Sequence, residues 1–328
     1  MLSTPSPSAA LPFTPGSPWL APLAGYSDLP FRLLCRKWGC MAACTEMVSA
    51  KGLFYSTANT MRLLQTSAED QPLVVQLYGN EPEIMSRAVY QLCSMGFAYF
   101  DLNCGCSVNK VVKTGSGAAL LKNPRLLLEM VSAMTQHAGA GRVGVKMRLG
   151  WSNQEIVYLY LAKPLADAGA GWITLHPRTA VQQFTGRARH QALQELKTVS
   201  SIPVVASGDL FTARDALQCV QSTGVDTVMF ARGALMDPAV GMRYQHLLQG
   251  RRDLPSNRDF VLRLCREAID VYRRYSTTRA VLKLRSLLPR MMRGLPGAKE
   301  LRKRIILCKE WQDLEEVMTS AQRHPETQ

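Results

Sequence analysis

The sequence lacks any apolar run approaching the roughly 18 residues of a membrane-crossing helix, which excludes a helical span as its organising element. No C-x-x-C occurs among its nine cysteines, and an odd number in a 328-residue chain argues against a disulfide framework. Free thiols favour a reducing compartment, the cytoplasm. No GxGxxG follows the first apolar run, so a doubly wound dinucleotide fold has no phosphate loop to rest on. The opening MLSTPSPSAALPFTPGSP has no basic stretch ahead of an apolar block and reads as a flexible leader, residues 1–17, rather than a signal peptide. Acidic residues are also scarce. With 25 Asp and Glu against 39 Lys and Arg, the net charge of +14 points to a polyanionic partner, nucleic acid first.

What is present is alternation. Short apolar runs at 19–25, 41–47, 73–79, 98–103, 143–150, 172–178, 203–209 and 226–233 read as strands. Segments with apolar residues three and four apart lie between most of them, as at 81–96, 123–139 and 153–169, the last carrying Pro164 as an expected kink. Eight parallel-type strands with intervening helices predict a (β/α)8 TIM barrel over residues 18–248, with an open doubly wound sheet as the second reading. In a barrel the chemistry gathers at the C-terminal ends of the strands. Glu46, Gln76, Asn103, Lys146, His176, Asp209 and Arg232 all fall there.

Beyond residue 248 the composition changes. Residues 251–328 hold 18 Lys and Arg and 10 Asp and Glu, more than half of the chain's excess charge. The segments 260–275, 278–294 and 298–318 read as amphipathic helices with basic faces, a small helical bundle over 249–328. It suits either a solvated cap or an RNA-docking module.

The stretch DLNCGCSVNKVVKTGSG, residues 101–117, sets two cysteines around one glycine. A zinc site needs three or four ligands, and a redox pair normally has two intervening residues. Neither fits, which leaves a reactive thiol or inert packing. This stretch, with APLAGYSDLPFR, TEMVSAKG, QLYGNEP, VKMRLGW, LHPRT, FTGRA, SGDL and LPGAKELRKRI in the same order along the chain, resembles the tRNA-dihydrouridine synthases. Those are flavin enzymes that reduce uridine in folded RNA.

The resemblance implies FMN as cofactor, NADPH as reductant and tRNA as partner, in a bacterial-type two-domain enzyme acting as a monomer. It implies that Cys106 donates the proton to C5 of the uracil while hydride from flavin N5 adds at C6. A thiol is mostly protonated at neutral pH and acidic enough to donate, which suits that role. Cys104 stands where the family more often has an apolar residue and implies packing. Ser107 stands where the family has proline.

By the same resemblance Pro22, Leu23 and Ala24 lie against the flavin ring, and Gln76 meets its pyrimidine edge. Lys146 stands near N1 and O2, where a cation offsets the charge of reduced flavin, and His176 is a further flavin contact. Ser207, Gly208 and Asp209 match a segment that usually reads Asn-Gly-Asp, and Ala231 with Arg232 matches Gly-Arg. Both are expected to hold the phosphate, Arg232 through a charge-assisted contact. Asn103 is expected near the uracil, Lys110 and Lys113 at RNA phosphates, and Arg178 with the FTGRAR run, residues 184–189, at the mouth of the site. The target uridine has to be extruded into the pocket, with the basic bundle gripping the RNA by shape and charge. The rival readings are the same reaction on ribosomal RNA, a flavin reductase of a small enone or pyrimidine, and an RNA-binding protein without catalysis.

Overall fold

All eight apolar runs fold as strands of one closed parallel barrel, in a computed structural model that describes residues 10–55, 57–275 and 279–323. The strands are β1 (Trp19–Leu20), β2 (Ala42–Cys44), β4 (Leu73–Tyr78), β5 (Tyr99–Cys104), β6 (Val143–Arg148), β7 (Ala170–His176), β8 (Val204–Ala206) and β9 (Thr227–Phe230). A short extra strand, β3 (Val48–Ser49), pairs with the end of β4 through Val48 and Leu77. Closure runs from β9 through β1 and β2 to β4, which removes the free edges an open sheet would leave. The doubly wound alternative is thereby excluded.

The period-two pattern of the strands divides their side chains between two cores. Leu20, Val75, Phe100, Leu102, Val145 and Leu175 face outward into the layer beneath the helices. Trp19, Ala42, Cys44, Val74, Trp172 and Val205 face inward. Trp172 needs the space over Gly144, where an added Cβ would lie 1.9 Å from the indole. Phe13 closes the base, its ring 5.3 Å from Trp19 and 5.8 Å from Trp172, and the Trp19 indole N–H donates to the Pro12 carbonyl. Residues 11–17 are therefore part of the barrel's floor and not a loose leader. Leu11 and Phe13 supply the apolar cover that the barrel's lower mouth lacks. Residues 1–9 of that expected leader lie outside the described residues.

The helices of the barrel are α1 (Leu29–Lys37), α2 (Ala50–Phe54), α3 (Ala58–Leu63), α4 (Pro82–Ser94), α5 (Asn109–Val112), α6 (Pro124–Ala138), α7 (Tyr158–Asp167), α8 (Gln191–Val199), α9 (Ala213–Thr223), α10 (Arg232–Met236) and α11 (Val240–Leu248). Their ends follow local signals. Asp28 caps α1 by accepting the Phe31 N–H, Thr212 and Asp215 form a capping box on α9, and Gly224 ends α9 in the left-handed region. Helix α7 departs from expectation. It begins at Tyr158 rather than near 153 and passes through Pro164 without interruption. Residues 150–156 are held instead by a bridge between Gly150 and Ile156. The proline forgoes only the bond to the carbonyl of Tyr160, on the exposed side.

The C-terminal helices are α12 (Arg258–Arg274), α13 (Ala280–Met291), α14 (Ala298–Leu307) and α15 (Trp311–Arg323). The single helix expected over 298–318 is two, because Asp313 captures the N–H groups of Lys309 and Glu310 and starts a new helix at Trp311. The bundle sits on α1 and the first barrel loop. Phe260 packs edge-on to Trp38 at 5.4 Å, and Glu267 accepts the Trp38 indole N–H at 2.7 Å. Asp28 takes the Tyr272 hydroxyl at 3.0 Å and pairs with Lys283. No helix among the described residues is long and apolar enough to cross a membrane.

Candidate active site

A cavity of about 300 Å³ opens at the C-terminal end of the barrel. Pro22, Leu23 and Ala24 line one wall, leaving β1 early because Pro22 has no N–H for the ladder. The Gly25 N–H behind them donates to the Glu46 carboxylate, which ties the loops after β1 and β2 together. Gln76, Asn103 and Lys146 come from neighbouring strands β4, β5 and β6, with Asn103 and Lys146 in direct register. His176 ends β7. Ser207, Gly208, Asp209, Ala231 and Arg232 complete the far wall, and Cys106 stands on the near side in the loop after β5.

The floor is polar and tightly bonded. Gln76 donates to the Asp101 carboxylate at 2.7 Å and accepts from the Asn103 amide at 2.8 Å. The Asn103 carbonyl accepts the N–H groups of Gly105 and Cys106 at 3.2 and 3.0 Å. The loop is also pinned from behind, where Ala118 N–H donates to the Cys106 carbonyl and Gly117, at φ +64°, packs so closely that a Cβ would sit 2.7 Å from that oxygen. Cys104, one residue past Asn103, faces the opposite way and is buried in the outer core. Burial, with Asp101 adding to it, holds its thiol well above the ordinary range.

Charge in the cavity is shaped by burial. Desolvation pushes the Asp101 carboxyl up to about 7 against the opposing pull of Gln76 and Lys146. It pushes the Lys146 amine down to about 8, Asp101 working the other way. Among the described residues no hydrogen bond is made to that amine. His176 is driven down to about 2 by burial and then by Lys146, Arg148, Arg178 and Arg232, so it is neutral at any working pH. Its Nε2 lies 3.2 Å from Arg178 Nη1. Because arginine can only donate, Nε2 is the accepting nitrogen and Nδ1 carries the proton.

Arg178 differs from expectation. It is not at the mouth but buried, and all five of its N–H groups are used. They go to the Thr185 and Gly186 carbonyls, to His176, and to both oxygens of Asp209. Asp209 is likewise occupied, with Arg232 at 3.2 Å and the Ala188 N–H at 2.8 Å as further partners. Burial works to raise its carboxyl, but Arg178, the Ala188 N–H and Arg232 outweigh it and hold it below the usual carboxylate range. Its side chain therefore anchors both arginines at the cavity wall. Arg232 lies over the rings of Phe184 and Phe211, at 5.1 and 4.7 Å, and keeps donors free toward the cavity. Lys110 and Lys113 are exposed on and beside α5, outside the cavity wall.

Two residues of the site, Asp101 beneath the cavity floor and Arg148 in its wall, were not given roles from sequence. Asp101 lies two residues before Asn103 and so on the same face of β5. Arg148 lies two residues after Lys146, and its guanidinium holds the Gly105, Thr179 and Gln183 carbonyls. The strand period was the available signal for both. Phe184, the first residue of the run expected at the mouth, is an exposed ring at the cavity rim. Nothing in the geometry accounts for serine at 107.

The chain is similar to known proteins along most of its length. The family model described as dihydrouridine synthase matches residues 19–325. A probable tRNA-dihydrouridine synthase 1 of Synechocystis sp. is 32% identical over 304 residues, 92% of this chain and 85% of that protein. A probable tRNA-dihydrouridine synthase of Aquifex aeolicus is 30% identical, covering 91% of this chain and 94% of that one. Among solved structures, a mutant of morphinone reductase in complex with tetrahydroNAD shares the fold at a TM-score of 0.51, with 12% identity over 73% of this chain and 88% of that one.

Proposed function

Because the chain belongs to the dihydrouridine synthase family, we propose that it is an FMN enzyme that uses NADPH to reduce the C5=C6 bond of uridine in tRNA. Family membership makes it an oxidoreductase of tRNA uridine. The choice of FMN and NADPH follows from the family resemblance, and the assignment of residues is our reading of the cavity.

The carrying observation is the pairing of a thiol at the cavity's near side with a half-buried ammonium on its floor that makes no hydrogen bond among the described residues. An amine held without a partner suits a ligand that brings negative charge, and the cavity's cations outnumber its carboxylates. These residues fit a flavin. Lys146 would offset charge on the reduced ring, Gln76 has one amide N–H left to donate, and His176 offers Nδ1–H. Pro22, Leu23 and Ala24 form the apolar wall for the ring. The backbone of Ser207, Gly208 and Ala231, with Arg232, would receive the phosphate.

The flavin, when bound, supplies hydride to C6 of the uracil. Cys106 holds the proton for C5, and Asn103 fixes the loop that carries it, its amide donating to Gln76 and to the Met47 sulfur. NADPH and uridine would use the same face in turn. The basic bundle and the exposed Lys110 and Lys113 would take the RNA backbone, with the target base extruded into the cavity.

Incubation of the purified, NADPH-reduced protein with an unmodified tRNA transcript should yield dihydrouridine at a defined position. A colourless protein that FMN does not reconstitute would overturn the cofactor assignment. A reconstituted flavoprotein that leaves tRNA unreduced would overturn the substrate.

A further inference from the structure

The hydrogen bonds on the cavity floor run in one direction. Cys106 N–H and Gly105 N–H donate to Asn103 Oδ1, Asn103 Nδ2 donates to Gln76 Oε1, and Gln76 Nε2 donates to Asp101 Oδ2. A primary amide donates on one side and accepts on the other, so fixing one end of such a chain fixes every link. Asp101 is its terminus, and an ionised carboxylate can only accept. With Asp101 accepting, Gln76 must turn its carbonyl toward Asn103, and Asn103 must turn its carbonyl toward the Cys106 loop.

Asp101 lies beneath the cavity lining and is buried, so water does not offer it another partner. Packing alone is a poor reason for the acid. Asp101 Oδ1 is buried with no hydrogen-bond partner among the described residues, and an apolar side chain would fill the space without that desolvation.

We propose that Asp101 is a positioning residue acting through Gln76 and Asn103: it sets the direction of both amides, which holds the Cys106 loop and leaves an N–H of Gln76 for the ligand. What that donor meets rests on the flavin reading given above. The hold on the Cys106 loop stands on the geometry alone. Were the chain reversed, the Asn103 amino group would face two N–H donors, and the loop would lose both bonds.

The test is the alkylation rate of Cys106 by iodoacetamide in the full chain, at a pH above about 7 where Asp101 is ionised. Peptide mass spectrometry reads the rate, and the melting temperature is measured beside it. Cys106 and Cys93 are the two cysteines that are not buried, so the reagent reports on this loop with Cys93 as internal control. Asp101→Asn keeps the shape but lets either end of the chain donate. Cys106 should then react about fivefold faster, the factor that loss of one net hydrogen bond gives, with Cys93 unchanged and the melting temperature no lower. Adding Gln76→Glu to Asp101→Asn moves the carboxylate one link along. There it accepts both from the new amide at position 101 and from Asn103, and the rate should return near that of the wild type.

A single variant that reacts at the wild-type rate, or a double variant as fast as the single, overturns the proposal. Should the single variant not fold, the double variant decides alone: a wild-type rate supports the proposal and a raised rate overturns it. FMN titration of the same proteins separates the two readings. Failure of the wild type to bind FMN defeats the proposed cofactor and leaves the alkylation contrast intact.

Discussion

Asp209 takes both terminal nitrogens of Arg178, at 2.8 and 2.6 Å, from a backbone held at φ +54°. A non-glycine residue in that region costs about 1 kcal/mol or more, and the bidentate pair with its neighbours offsets the strain. The pair ties the loop after β7 to the loop after β8 and fixes the accepting nitrogen of His176. Gly208, at φ +102°, allows this closeness, since a Cβ there would lie 2.8 Å from the imidazole.

Arg178→Met should therefore act on stability before it acts on RNA. Removing one partner of a largely buried pair is expected to cost on the order of 3 kcal/mol, measured as a lower urea midpoint. Flavin affinity should fall with it, because His176 and Arg232 lose their common anchor. An undiminished midpoint with weakened tRNA binding would return Arg178 to the RNA surface.

The two cysteines of the NCGC stretch should separate cleanly. Cys106→Ala should fold, bind flavin and RNA, and lose roughly 100-fold or more of its turnover, the scale of a missing general acid. Cys104→Ala should keep turnover and lose about 1 kcal/mol of stability, since it removes only packing in the outer core. Steady-state kinetics paired with chemical denaturation distinguishes the cases, and equal turnover in the two variants would refute the assignment.

Titration of the floor gives two pH signatures. Lys146, depressed to about 8, is charged below that pH and neutral above it, so turnover that needs the cation should fall as pH rises through about 8. Lys146→Arg should remove that alkaline fall even if it slows the reaction. Asp101 shifts the other way, from an ordinary 3.8 up to about 7. Between those values the native state holds a proton that the unfolded chain has released. Its stabilising contribution is full below about 4 and is lost as pH rises through about 7. Asp101→Asn should flatten this slope, gaining on the wild type in melting temperature from pH 4 to pH 8. Parallel stability profiles would count against the shift.

Lys110 and Lys113 are exposed and without partners among the described residues, so replacing both with Gln should leave folding and flavin binding untouched. If each neutralises one phosphate, tRNA affinity should weaken and the slope of log affinity against log salt should fall by about 1 to 2. An unchanged slope in binding assays over several salt concentrations would place the RNA elsewhere.

Alternation along the chain was enough to determine the barrel and much of its site. Gln76, Asn103, Lys146 and His176 each close an apolar run at a strand's end, and strand period alone turns them inward. The same period was sufficient to place Asp101 and Arg148, both two residues from an expected site residue. Cys104 takes the outward place by that rule.

Once the chain leaves a strand, period no longer constrains it, and partners distant in sequence decide. Arg178 is drawn into the wall by Asp209, 31 residues onward, rather than pointing to solvent at the mouth. The break between α14 and α15 depends on whether Asp313 reaches back to two backbone N–H groups. The segment at 11–17 becomes structure only because the barrel's base exposes Trp19 and Trp172 for Phe13 to cover. Strand identity is a local property of alternating side chains, whereas these outcomes are set by burial and charge that exist only after the barrel has closed.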